Sequence, residues 1–193
     1  MKSLHGFLAV LLVATIGCSS QPPASVPTGG SSEPYDIKLN EQIGVKLGST
    51  FQEFQKKHPS DAAECIKKDP IGVALCTIPV FHRRLKIGYT KVSDYSLRFY
   101  RDRLVWISYS LASYDWEPLK TAMKSKFGPP QQAEHEGPFA PDLTWRNSVS
   151  SIHLWVSDND HTHGHLELEL DREISEWLDA FRKFKQAEAK SGL

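Results

Sequence analysis

The stretch His165-Leu166-Glu167-Leu168-Glu169-Leu170 alternates polar and apolar residues without a break. Side chains along a strand point to opposite faces in turn, so this pattern demands a sheet with one buried and one solvated side. Ile152, Leu154 and Val156 repeat it with His153 and Trp155 between them, and Val105, Ile107, Tyr109 and Leu111 repeat it again. An antiparallel sheet covered on one face accommodates all three runs. The same alternation turns Leu104, Trp106, His153, Trp155, Glu167 and Glu169 to the outer side, with Tyr100 near Trp106.

Cover for the buried face must come from segments of helical period. Ser49-Thr50-Phe51-Gln52 has the S-x-x-Q form of a capping box, and Phe51 and Phe54 share one face before His58-Pro59 closes a short helix. Asp115 can cap a second helix, whose Trp116, Leu119, Ala122, Met123 and Phe127 form an apolar stripe ending at Gly128-Pro129-Pro130. A third starts near Arg172 and carries Ile174, Trp177, Leu178, Phe181 and Phe184 at helical spacing. Between them, strands are expected at 76–78, 85–89, 95–100, 104–111, 144–146, 151–157 and 165–171. The class is therefore α+β: two helix-plus-antiparallel-strand halves forming a small sheet with helices packed on it, plus a C-terminal amphipathic helix.

The N-terminus has another character. Lys2, an apolar run from Phe7 to Ile16 and then Gly17-Cys18-Ser19-Ser20 read as a secretion signal over residues 1–17, too short to anchor as a spanning helix. Thr15-Ile16-Gly17-Cys18 resembles a bacterial lipobox, in which Cys18 is lipidated and becomes the new terminus; a plain signal peptide cut near Ala14 or Gly17 is the other reading. Lipidation of Cys18 leaves Cys65 and Cys76, an even pair suited to a disulfide in an oxidising compartment. Ser19 to Pro34 holds five Ser, four Pro and two Gly among sixteen residues, which cannot build a core. A tether of that length spans on the order of 20 Å. Residues 18–42 are accordingly assigned to the lipidated cysteine and tether, 43–186 to one domain and 187–193 to a polar tail.

Val45-Lys46-Leu47-Gly48-Ser49-Thr50 at the start of one helix and Phe127-Gly128-Pro129 at the end of another, with the lipobox and linker, resemble the small outer-membrane-assembly lipoproteins of the SmpA/OmlA (BamE) type. In that family a hydrophobic-x-x-Gly-x-Ser/Thr segment precedes a helix that packs on a small antiparallel sheet. The layout of residues 43 to 171 is also similar to the tandem fold of β-lactamase-inhibitor proteins. What the resemblance implies is a non-catalytic binding scaffold.

With 23 Lys and Arg against 23 Asp and Glu, the chain has no excess of positive charge to attract nucleic acid. The familiar hydrolase, metalloprotease, nucleotide and dinucleotide motifs are absent, so the expected function is not enzymatic. Two sets of residues remain. The outer face offers Tyr100, Trp106, His153 and Trp155 as protein-binding anchors, unless the C-terminal helix covers them. His161, His163 and His165, with Asp160 or Asp158, have the two-residue spacing that can share zinc or copper, although Gly, Asn and Asp also mark a plain hairpin turn. The basic stretch His82-Arg83-Arg84-Leu85-Lys86 reads as a solvated edge or as a contact for anionic lipid. The expectation is a lipid-anchored protein of the bacterial cell envelope, on the outer membrane facing the periplasm, that binds another envelope protein as adaptor or modulator. It needs no cofactor and touches membrane only through its lipid. The alternative is a periplasmic divalent-metal binder.

Overall fold

The computed structural model describes residues 32–63, 65–66, 70–80, 84–113, 115–134, 142–157 and 162–191. In chain order these form α1 (Lys38–Ile43), α2 (Phe51–Lys57), α3 (Pro59–Ala63), β1 (Val73–Pro79), β2 (Lys86–Ile87), β3 (Thr90–Tyr100) and β4 (Arg103–Ala112). Then follow α4 (Glu117–Phe127), β5 (Gln132–Glu134), β6 (Asp142–Arg146), β7 (Ser150–Val156), β8 (His163–Leu170) and α5 (Asp171–Ser191). All strands join one antiparallel sheet in the order β1-β3-β4-β8-β7-β6-β5, with β2 beside β3. The α+β class read from the sequence is therefore present. The first half contributes β1-β3-β4 with β2 beside β3, the second the four-strand meander β5-β6-β7-β8, and the halves meet where β4 pairs with β8.

Three helices cover the apolar face. Phe51 and Phe54 of α2 pack on Phe99 of β3 with ring centroids 5.1 and 5.6 Å apart. From α1 come the buried Leu39 and Ile43, and from α4 Leu119 and Met123. Trp145, fully buried on β6, donates from its indole nitrogen to the Gly128 carbonyl at 2.9 Å, tying the end of α4 to the sheet. Asn40 enters this core with its partners: the Tyr109 hydroxyl donates to Asn40 Oδ1 at 2.6 Å, and Asn40 Nδ2 donates to Asp36 Oδ1 at 2.7 Å. Burial, helped by neighbouring Tyr95 and Asp36, raises the Tyr109 pKa well above the ordinary phenol range.

Several boundaries differ from expectation. The domain starts before Ile43, because Ile37, Leu39 and Asn40 are already buried, and α5 runs to Ser191 through the start of the expected polar tail. The capping box sits one residue later than Ser49. Thr50 caps α2 and exchanges bonds with Glu53, because Ser49 is spent on the sheet: its carbonyl accepts the Leu104 N–H at 2.7 Å. Leu104 is fully buried rather than outward. A bulge between Arg98 and Phe99 sets Leu104 opposite Phe99, on the α2 side, whereas Trp106 stays opposite Arg98. The expected strand at 85–89 shrinks to the two residues of β2.

Cys65 and Cys76 are joined across 11 positions, with Cα atoms 4.1 Å apart, and this fastens the segment after α3 to β1. Ile66 also bridges Leu75 there. Replacing both cysteines by Ala should lower unfolding stability by about 3 kcal/mol, from the entropy restored to the unfolded chain. Denaturant melts of the double variant against the oxidised parent check this; equal midpoints would show the crosslink to be idle.

Candidate functional site

The second face of the sheet is the open one. Reading across the pairing register, three rows emerge: Arg98, Trp106, Glu169, Ser151; then Ser96, Ser108, Glu167, His153; then Asp94, Ser110, His165, Trp155. The strict alternation of β8 produces this surface, since Leu166, Leu168 and Leu170 are turned to the core.

At one end, α5 closes over the first row. The Arg98 guanidinium lies 4.5 Å from the Trp106 ring centroid and 4.2 Å from that of Trp177, so a cation is held between two indoles. Burial lowers the Arg98 pKa, while Glu167 and Glu169 pull it back; a guanidinium keeps its proton regardless. Arg101 pairs with Glu176 at 3.1 Å and Arg103 with Glu173 at 3.3 Å, which fixes the start of α5 on the β3–β4 hairpin. The helix fully buries only Ile174, and Leu178 and Phe181 remain 38% and 39% exposed.

At the other end, Trp155 stacks on His165 with centroids 4.4 Å apart and planes 25° from parallel. His165 Nδ1 is 3.5 Å from Ser108 Oγ, which also donates to Glu167 at 3.3 Å. His153 Nε2 lies 2.6 Å from Asp142 Oδ1. Ser110 donates to Asp94 at 2.7 Å, and in the first row the Ser151 hydroxyl shares its one proton between Glu169 at 3.0 Å and Asp171 at 2.8 Å. Hydroxyls thus bridge the carboxylates, and the Trp155–His165 stack supplies the apolar area.

Of the residues singled out in the sequence, Trp106, His153 and Trp155 lie on this face and are half-buried. Tyr100 does not qualify. It is 3% exposed, packed beside the Arg103 and Glu173 cluster at the start of α5, so it cannot serve as a surface anchor. His163 and His165 project from the same side of β8, whereas His161, Asp160 and Asp158 lie outside the described residues, as does Cys18. Among the described residues no group of three or more His, Cys, Asp or Glu side chains is disposed to hold a metal ion. Arg98, Asp94 and Asp142 were missed, because their place on the face depends on hairpin register and, for Asp94 and Arg98, on bulges beside them. Glu167 and Glu169 were legible from alternation alone.

No protein-family model and no curated protein matches the sequence. Among solved structures, the chain is similar to a DUF4309 family protein (YjgB) from Bacillus subtilis at 14% identity and a TM-score of 0.30, over 60% of this chain and 76% of that one. So remote a likeness carries neither fold nor function across. No helix among the described residues is long and apolar enough to cross a membrane.

The Glu169 carboxyl has its pKa raised, chiefly by burial and further by Asp171 and Glu167, against the opposing Ser151 hydrogen bond and Arg146. A carboxyl raised in the folded state is favourable while protonated and loses that advantage as pH climbs from its unfolded value, about 4.3, through its folded one. Glu169→Gln keeps the neutral form at every pH. It should therefore melt above the parent at pH 7, the gap closing below about pH 4. Paired thermal melts across that range check the sign.

Proposed function

We propose that this chain is a lipid-anchored protein of the bacterial cell envelope, held through Cys18 on the outer membrane and facing the periplasm. Its open sheet face binds another envelope protein without catalysis, as adaptor or modulator. The observation that carries this reading is the Trp155–His165 stack with the His153–Asp142 pair beside it. The stack lies four residues along β7 and β8 from Ser151 and Glu169, roughly 13 Å from the row that α5 closes over. Trp is favoured at interfaces because it offers a large rigid surface with few bonds to freeze. The anchoring half of the proposal rests on the lipobox, and Ser19 after Cys18 is compatible with outer-membrane sorting in lipoproteins of the resembling kind.

The test is photo-crosslinking in the native envelope, with a photoreactive residue in place of Trp155 and a matched one at Lys185. A single dominant protein adduct from position 155, weakened when His153 is also changed to Ala, is the expected result. Equal adducts from both positions, or none in correctly lipidated folded protein, would reject the interface.

The shared orientation of His163 and His165 favours a second reading, in which those two residues with His161 and Asp160 hold zinc or copper. It expects one zinc per chain at sub-micromolar affinity. Calorimetric titration decides: affinity retained in His163→Ala/His165→Ala would eliminate it.

A further inference from the structure

On the helix-covered side of the sheet, far from the face described above, a cavity of about 180 Å³ opens between α1, α4 and the β2–β3 turn. Its wall is apolar: Leu39 from α1, Ile87 from β2, Met123 from α4 and Leu166 from β8. Lys38, Lys86 and Lys126 also line it, one from each of three separate segments. No Asp or Glu lies among the lining residues, in a chain whose acidic and basic residues are equal in number overall. Lys126 is positioned by donating to the Asp36 carbonyl at 2.8 Å. Lys38 and Lys86 have no ion-pair partner among the described residues.

We propose that this cavity binds a small anionic amphiphile: an apolar group about the size of a benzene ring or a short acyl chain, carrying a carboxylate that the three lysines receive. Size and charge argue together. An enclosed apolar cavity of about 150 Å³ takes up benzene, so this one, about 180 Å³ and open to solvent on one side, has room for a group of that size with a polar head left at its mouth. An uncharged apolar guest would gain nothing from the three solvent-exposed lysines at the rim, and a cationic one would meet like charge there. A carboxylate at the rim gains charge-assisted hydrogen bonds while its tail leaves water. The site is independent of the protein-binding reading, because Leu166 belongs to the opposite face of β8 from His165 and Glu167.

The sequence provides its own reporter. The chain has two methionines, Met1 and Met123, so methyl-labelled methionine gives a signal from the cavity, accompanied by one from Met1 only where residues 1–17 are retained. The full chain is titrated separately with octanoate, octanol and octylammonium. The expected result is a saturable shift of the Met123 methyl alone, with octanoate bound at least about tenfold more tightly than octanol, and octylammonium weakest. Lys38→Glu/Lys86→Glu should abolish the preference for octanoate. Ala122→Trp, which fills the cavity mouth with the lysines intact, should abolish the shift itself, and circular dichroism confirms that both variants fold. An unmoved Met123 signal, equal affinity for octanoate and octanol, or a preference that survives the charge reversal would each overturn the proposal.

Discussion

Seven residue pairs between β4 and β8, from Trp106↔Glu169 to Ala112↔His163, weld the two halves into one sheet. The pairing sets Ile107 against Leu168 and Tyr109 against Leu166 on the core side, and Trp106 against Glu169 and Ser108 against Glu167 on the other. Side-chain direction alternates with a period of two, so a slip of one residue would drive both glutamates into the core and bring the leucines out. Burying two carboxylates without partners costs far more than any contact the slipped register could supply. The seam thus enforces its own alignment. Its far end depends on Gly164, where an added Cβ would stand 2.6 Å from the Trp155 carbonyl oxygen and 3.1 Å from the Trp116 ring.

Once that register is set, the two faces take on different work. The core side recruits α1, α2 and α4, and the deeply buried Asn40 there is satisfied by Tyr109 and Asp36. The other side carries charge, so a helix can close on it only where the charge is managed. Arg98 manages it at the first row: the guanidinium gives up water on burial, and the two indoles offset that cost, such stacking being worth about 2 kcal/mol when water is excluded. Beyond Trp177 the stripe of α5 is left half exposed, at Leu178 and Phe181.

What could be read from the chain depended on whether the signal was local. The period-two runs of β4, β7 and β8 and the stripes of α4 and α5 declared themselves, because each repeats over several residues. The six-residue α1 did not. So short a helix has little stability of its own and forms through Leu39, Asn40 and Ile43 meeting the core, which no local pattern announces. The bulge at Arg98 was equally hidden, since it is a property of two strands, and it moved Leu104 from the outer to the inner side. On the open face, Trp155 and His153 were legible by alternation, whereas the burial of Tyr100 depended on where α5 begins.

The polar character of the open face bears directly on how it can recognise a partner. Ser108, Ser110 and Ser151 already hydrogen-bond to Glu167, Asp94 and Glu169, and His153 to Asp142, so these groups do not need a partner to be satisfied. A partner that covers them without offering matching donors and acceptors removes water from carboxylates and receives nothing in return. If this face binds as proposed, apolar attraction has to come from the Trp155–His165 stack, while the surrounding hydroxyls and carboxylates would decide which protein can approach it. On the proposed reading, affinity from such a surface would be modest and selectivity high, because an interface rich in fixed polar groups rejects mismatches more strongly than it rewards contact.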